Sequence, residues 1–310
     1  MYPVIRAKDR QKTIIQQCYR LQEVDGENAE LEYLQFPKLA EMEQIQHLFT
    51  TRTGGVSTEH LASLNLSFSR GDLKEYVLEN YRRIGLVMGC SIDRMVASHQ
   101  THTTNIRIVS EADAGKGIIA EKDYTDIDGL ITNVPGIALA CFYADCVPLY
   151  FVDPVKHVIG LAHSGWRGTV AGIGRGMVSR MQELYGCDPA HIVAAIGPSI
   201  CQECYEVSEE VAEEFRTGFW VEENIRTFCQ EIRTSGIYPE VELLIPGKEP
   251  GKYQLDLWLA NLIVLRSAGI RFDNIDITDV CTCCNPEYLF SHRASKGMRG
   301  NLAAFLMIKP

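Results

Sequence analysis

Short apolar runs bounded by turn residues dominate the middle of the chain. Residues 94–98, 106–110, 129–132, 137–143, 147–152 and 157–162 each read as a strand. Residues 47–52 form another, broken by Thr53-Gly54-Gly55, and 192–196 a further one, stopped by Gly197-Pro198. The stretches 275–278 and 304–308 complete the set. Helical spacing appears at 73–87, where Val77, Tyr81, Ile84 and Val87 share a face behind Asp72 as a cap. A single helix is expected over 168–185, ended at Gly186. A shorter one is expected over 208–215 behind Ser208, and a stronger one over 255–268, closed by Gly269. Residues 1–45 are charged and weakly periodic, with 13–15 and 31–34 as short edge strands and Asp25-Gly26 as a hairpin turn. The Pro- and Gly-rich stretch 236–252 reads as a surface loop.

Many of these strands follow one another without a helix between them. That predicts an α/β or α+β mixed-sheet domain with helices on the outside, not a Rossmann alternation. Gly172-Ile173-Gly174-Arg175-Gly176 lies within a predicted helix instead of after a strand, so it is a poor dinucleotide signal. The chain divides into an N-terminal extension, 1–45, packed on a main domain, 46–310.

Composition narrows the picture. At 310 residues, 46% apolar and 23% charged, the chain has the make-up of a globular protein with a large core. A net charge of −10 argues against a broad nucleic-acid surface. No signal-like N-terminus and no membrane-length apolar run is present, so a cytoplasmic protein without membrane partners is expected. The cysteines are scattered, which in a reducing compartment argues against a disulfide framework. Cys201/Cys204 and Cys281/Cys283/Cys284 have metal-like local spacing. The two clusters are about eighty residues apart, whereas zinc-ribbon knuckles lie about 15–20 apart, so small buried thiols near the core is the favoured reading.

Chemistry concentrates at strand ends. Cys146, in Tyr143-Ala144-Asp145-Cys146-Val147-Pro148, and His163, in Ala162-His163-Ser164-Gly165-Trp166-Arg167-Gly168, each stand at the end of an apolar run. Ser98-His99-Gln100-Thr101-His102 adds two imidazoles. A thiolate and two histidines suit a divalent metal with an open coordination position, or a Cys–His nucleophile. His102, Cys146 and His163 would be the ligands, with His99 competing for the place of His102 and Asp145 taking a proton or orienting a ligand. Arg52, Arg167 and Arg293 stand beside glycine or small residues at segment ends, where a guanidinium can bind phosphate or carboxylate. Backbone N–H groups around Ser164-Gly165 and Gly168 could add to an anion site.

Several motifs stand in order along the chain: Thr50-Thr51-Arg52-Thr53-Gly54-Gly55-Val56-Ser57, Ser63-Leu64-Asn65-Leu66-Ser67, His99-Gln100-Thr101-His102, and the Cys146 and His163 segments. Ile196-Gly197-Pro198-Ser199-Ile200, Cys204-Tyr205-Glu206-Val207, Cys281-Thr282 and Phe290-Ser291-His292-Arg293 follow. In this order they resemble the YfiH/YlmD-type family, long labelled multicopper polyphenol oxidase or laccase-domain proteins and now regarded as purine nucleoside phosphorylases. The resemblance runs from about Gln46 to the C-terminus and implies a layered sandwich of mixed β-sheets covered by helices. It implies zinc on His102, Cys146 and His163, with Cys146, His163 and Asp145 catalytic, and a pocket lined by Arg52, Asn65, Gln100, Ser164, Arg167 and Arg293. Ser164 stands where the family usually has alanine, and His292 where it has tyrosine. The implied reactions use phosphate on adenosine, inosine and S-methyl-5′-thioadenosine, and deaminate adenosine. Three alternatives remain: a copper polyphenol oxidase, disfavoured by eight histidines without a His-x-His pair; a Cys146–His163 hydrolase such as a peptidoglycan-precursor amidase; and a non-catalytic nucleotide-binding scaffold.

Overall fold

A computed structural model of the chain describes residues 1–7, 13–21, 30–219, 230–234 and 242–310. In chain order the strands are β1 (Ile15–Arg20), β2 (Glu30–Gln35), β3 (Ile45–Thr50), β4 (Met95–Ala97), β5 (Ile106–Ile108) and β6 (Gly129–Thr132). Then come β7 (Ala138–Tyr143), β8 (Val147–Asp153), β9 (Val158–Ser164), β10 (Val193–Ile196) and β11 (Glu206–Ser208). The last are β12 (Leu244–Pro246), β13 (Lys252–Leu255), β14 (Ile275–Ile277) and β15 (Leu302–Ile308). The helices are α1 (Pro37–Ala40), α2 (Lys74–Met88), α3 (Trp166–Val170), α4 (Ile173–Tyr185), α5 (Glu209–Glu214) and α6 (Leu257–Ser267).

Two six-stranded mixed sheets stack face to face, in the orders β1-β2-β3-β15-β7-β4 and β14-β10-β8-β9-β6-β5. Strand alternation sorts the side chains into layers. From β7, Leu139, Cys141 and Tyr143 point between the sheets, where they meet Tyr150 and Val152 of β8, Ile159 and Leu161 of β9, and Leu306 of β15. The opposite faces are covered by helices. Ala138, Ala140 and Phe305 pack under Val77, Tyr81 and Ile84 of α2. Leu149, Phe151 and Val158 pack under Met177 and Met181 of α4 and Leu259 and Val264 of α6. This is the helix-covered sandwich of mixed sheets that the strand pattern and the resemblance predict. Each fully buried Leu, Ile or Phe in these layers contributes ~1.5–3 kcal/mol. No helix among the described residues is long and apolar enough to cross a membrane.

Four local expectations change. The helix expected over 168–185 is two helices, because Gly172 adopts φ 76° and turns the chain between α3 and α4. Asp72 does not cap α2: Leu73 occupies the cap position. Its carboxylate is held instead by Ser57 Oγ (2.6 Å) and Asn65 Nδ2 (2.8 Å). The loop expected over 236–252 contains β12, paired with β13 in a small third sheet, β11-β13-β12. The cysteines read as small buried thiols near the core gather into one group: Sγ atoms of Cys201, Cys204, Cys281 and Cys284 lie within 4.8 Å of one another. The parallel pairing of β10 with β14, carried on to Ser199 and Cys281, brings the two distant clusters together. The Asp25-Gly26 turn lies outside the described residues.

Candidate active site

The register of β8 and β9 begins the site. Pro148 pairs with His163, which sets the turn joining β7 to β8, and with it Cys146, beside the end of β9. Asp145, in that turn, has φ 92°, and both carboxylate oxygens are fixed: Oδ1 accepts from Thr282 Oγ1 (2.6 Å) and Oδ2 from the Arg293 N–H (2.7 Å). On the other side β6 pairs with β9, and the buried Asp128 precedes β6. Its carboxylate accepts from the N–H groups of Thr101 (3.1 Å), His102 (3.1 Å) and Thr103 (2.9 Å), and lies 2.8 Å from His163 Nδ1. One aspartate therefore shapes the loop of His102 and turns the Nε2 of His163 toward Cys146.

The three predicted ligands converge. Their donor atoms lie within 4.8 Å of one another, with Cys146 Sγ 3.8 Å from His102 Nε2. A tetrahedral zinc with its usual bond lengths separates a sulfur from a nitrogen by about 3.6 Å, so this donor set fits such an ion. Gly165 permits the approach: a Cβ there would stand 2.7 Å from His102 Cδ2 and 3.2 Å from Cys146 Sγ. Burial pushes the Cys146 thiol up, but His163 and the hydrogen bond from His102 outweigh it and bring the thiol down to about 6. Burial also opposes the His163 imidazolium, yet Cys146 and Asp128 raise it to about 9. For Asp128, burial pushes up and is outweighed by His163 and the backbone donors, leaving it at about 2. Opposite charges are thus favoured on Cys146 and His163 at neutral pH.

The triad sits at the floor of a cleft of about 390 Å³, a size suited to a small molecule. Its walls include Phe68, Arg70, His99, Gln100, Lys122 and Arg299. His99 is not in the triad; its Nδ1 accepts the Asp126 N–H (3.2 Å). Gln100 is spent on the Phe142 backbone, donating to its carbonyl (2.7 Å) and accepting its N–H (2.7 Å).

Several residues expected in the pocket do other work. Arg52 clamps a loop through the carbonyls of Ala62 (2.8 Å) and Pro286 (2.7 Å), with its guanidinium over Phe290. Asn65 holds the cleft-lining loop by accepting the N–H groups of Ser67 (3.1 Å) and Asn301 (3.0 Å). Ser164 is buried, bonded to Asn261 Oδ1 (2.8 Å) and Thr169 Oγ1 (2.9 Å), and α3 beyond it is a single short helix. Arg167 lies over Trp166, while Arg293 spans the carbonyls of Cys204 and Glu206 over the Tyr205 ring. Neither Arg167 nor Arg293 lines the cleft.

Sequence reasoning missed Asp128, Arg70 and Arg299. Asp128 has the same signal as Cys146 and His163, a reactive side chain at the end of an apolar run. Arg70 and Arg299 each precede a glycine, the pattern that singled out Arg167. Burial and the neighbouring Arg70 push the Arg299 guanidinium down to about 10. Its buried Nε has no hydrogen-bond partner among the described residues.

Residues 46–309 match the family described as multi-copper polyphenol oxidoreductase laccase. The chain belongs to this family. It is 34% identical over 264 residues to the purine nucleoside phosphorylase YlmD of Bacillus subtilis (strain 168), covering 84% of this chain and 87% of the relative. It is 31% identical over 265 residues to the adenosine deaminase RL5 of an unknown prokaryotic organism, covering 85% and 93%. The crystal structure of YlmD from Geobacillus stearothermophilus superposes with a TM-score of 0.78 at 32% identity, covering 95% of this chain and all (100%) of that one. These similarities mark the YfiH/YlmD-type family and make the chain an enzyme.

Proposed function

We propose that this chain is a zinc-dependent purine nucleoside enzyme. It would use phosphate to cleave adenosine, inosine and S-methyl-5′-thioadenosine to the base and the sugar 1-phosphate, and would also deaminate adenosine to inosine. The observation that carries the reading is the meeting, in one cleft, of the His102–Cys146–His163 donor set with Arg70 and Arg299. Two guanidiniums lining one cleft, close enough for Arg70 to push the Arg299 guanidinium down, suit a multiply charged anion such as phosphate. The Phe68 ring, stacked on Tyr81 and 38% exposed, offers a flat apolar face for a purine. The relatives' names, phosphorylase and deaminase, support the same class.

Phosphorolysis forms a bond from a phosphate oxygen to the anomeric carbon and breaks the bond to the purine nitrogen. The electron pair leaves with the base, which takes up a proton. The arginines would hold the attacking phosphate and Phe68 would fix the departing base. In deamination, water adds at the carbon bearing the amine and ammonia leaves. Zinc on the three ligands would supply Lewis acidity beside the reacting atoms. Asp128 keeps the His163 ring in one orientation and one tautomer. The described cysteines are free of disulfides, which suits the reducing cytoplasm where the enzyme would meet its substrates.

The test is chromatography of adenosine incubated with the protein, with and without phosphate. Adenine and ribose 1-phosphate formed only with phosphate support phosphorolysis, and phosphate-independent inosine supports deamination. Unchanged adenosine in both arms refutes the proposal. The pairing of Cys146 with His163 and Asp128 also favours a second reading, a metal-free cysteine hydrolase. Chelation separates the two: loss of nucleoside turnover in the metal-stripped protein, restored by zinc, rules for the metal enzyme.

A further inference from the structure

The most tightly gathered group of reactive side chains outside the cleft is sulfur. β10 and β14 run parallel, and their alignment continues past their C-terminal ends, where Ser199 bridges to Cys281 and the Thr282 N–H donates to the Ser199 carbonyl at 3.1 Å. Each chain segment then turns within a Cys-x-x-Cys unit, Cys201 to Cys204 on one and Cys281 to Cys284 on the other. The turns face each other. Cys284 Sγ lies 3.9 Å from Cys201 Sγ and 3.5 Å from Cys204 Sγ, and all four sulfurs lie within 4.8 Å.

These spacings decide what the group can hold. A tetrahedral ion with Zn–S bonds of about 2.3 Å puts its sulfurs about 3.8 Å apart along each edge. A disulfide requires a sulfur separation of about 2.05 Å, far shorter than either distance. A polynuclear iron–sulfur cluster inserts its own iron and sulfide between the thiolates and needs a wider cage. The backbone is already arranged for a thiolate: Cys281 Sγ accepts the N–H groups of Cys201 (3.2 Å) and Cys284 (3.4 Å). A cavity of about 250 Å³, walled in part by Arg6, reaches Cys201, Cys281 and Cys284.

We infer that Cys201, Cys204, Cys281 and Cys284 form a second zinc site, closed to substrate, that fixes the loops bracing the Cys146 turn. Thr282, between two of the cysteines, holds Asp145 Oδ1. The carbonyl of Cys204 receives Arg293 Nη1 at 3.1 Å, and the Arg293 N–H holds Asp145 Oδ2. An ion at the four sulfurs would therefore tie both supports of Asp145 to one point.

Elemental analysis of protein expressed with zinc in the medium should find two zinc ions per chain. A His102→Ala/Cys146→Ser variant, which leaves the four cysteines intact, should keep one, and X-ray absorption of that ion should show sulfur neighbours alone. Cys201→Ser/Cys284→Ser should also drop from two ions to one, retaining the mixed nitrogen–sulfur site. If that variant is insoluble, the first variant still decides. Absence of zinc in the His102→Ala/Cys146→Ser protein, iron in its place, nitrogen neighbours, or a Cys204–Cys284 disulfide in the alkylated native protein would overturn the inference. The count does not depend on which nucleoside reaction the cleft performs.

Discussion

Asp128 links the two histidines of the site through a single carboxylate, accepting from the His102 N–H and from His163 Nδ1. Asp128→Asn keeps the shape but turns an NH2 group toward N–H donors, so the His102 loop and the His163 tautomer both lose their restraint. Metal affinity should fall about 10- to 100-fold, the usual cost of removing such an outer partner, as read by competition with a chromophoric chelator. Unchanged affinity would show that the ligands hold themselves in place. Arg299 belongs to the other half of the proposed chemistry. Arg299→Ala should raise KM for phosphate about 10- to 100-fold, matching the ~1.5–3 kcal/mol of a charged hydrogen bond, while KM for the nucleoside changes little. Equal effects on both constants would place the side chain elsewhere in the reaction. The metal donors were legible because thiol and imidazole at strand ends stand out against apolar runs. Arg52 and Asn65 were legible only as unusual residues: nothing local shows that Arg52 spends its guanidinium on the carbonyls of Ala62 and Pro286.

His47 of β3 is a joint between elements. Its Nε2 accepts the Phe36 N–H (3.0 Å) at the start of α1, and burial pushes the imidazole down to about 3. The unfolded chain takes up a proton near pH 6.5 and the folded chain resists until far lower, so stability from this residue is complete above pH 6.5 and declines as pH falls toward 3. Between pH 7 and 4.5 the loss should be about 2–3 kcal/mol relative to His47→Gln, whose amide oxygen can accept the same N–H. Urea unfolding of both proteins at the two pH values measures it, and parallel changes would refute it. Strands such as 129–132 were readable to the residue because apolar runs there end at turn residues. The break between α3 and α4 was not, since Gly172 lies inside a pattern that continues helically on both sides. β12 escaped notice for a different reason: with one half-buried leucine and isoleucine before a proline, it is a strand through pairing with β13.

At the scale of the whole molecule, closure comes from the far end of the chain. β15 inserts between β3 and β7, an arrangement that no local pattern encodes. The N-terminal residues act on the same region. Tyr2 stacks on Tyr288 with centroids 5.0 Å apart, and Ile5 exchanges hydrogen bonds with the Asn285 side chain (2.7 and 2.9 Å). Arg6 pairs with the buried Asp279, whose carbonyl also receives the Ala7 N–H at 2.8 Å. All of these contacts fall on the segment 279–288, which carries Cys281, Cys284 and the Thr282 that holds Asp145. Deleting residues 1–7 would take away the cation paired with Asp279, leaving its carboxylate the Ile14 N–H and the Thr13 hydroxyl, and uncover the cavity beside the sulfurs. The stability lost should be about 2–4 kcal/mol, the range for breaking a buried pair with its neighbouring hydrogen bonds. Cys281 and Cys284 should also be alkylated faster in the metal-stripped truncated protein than in the metal-stripped full chain, as peptide mass spectrometry can read site by site. If melting temperature and labelling rate are both unchanged, the first seven residues lie on the surface without bracing it, and the support of Asp145 must come from β10 and β14 alone.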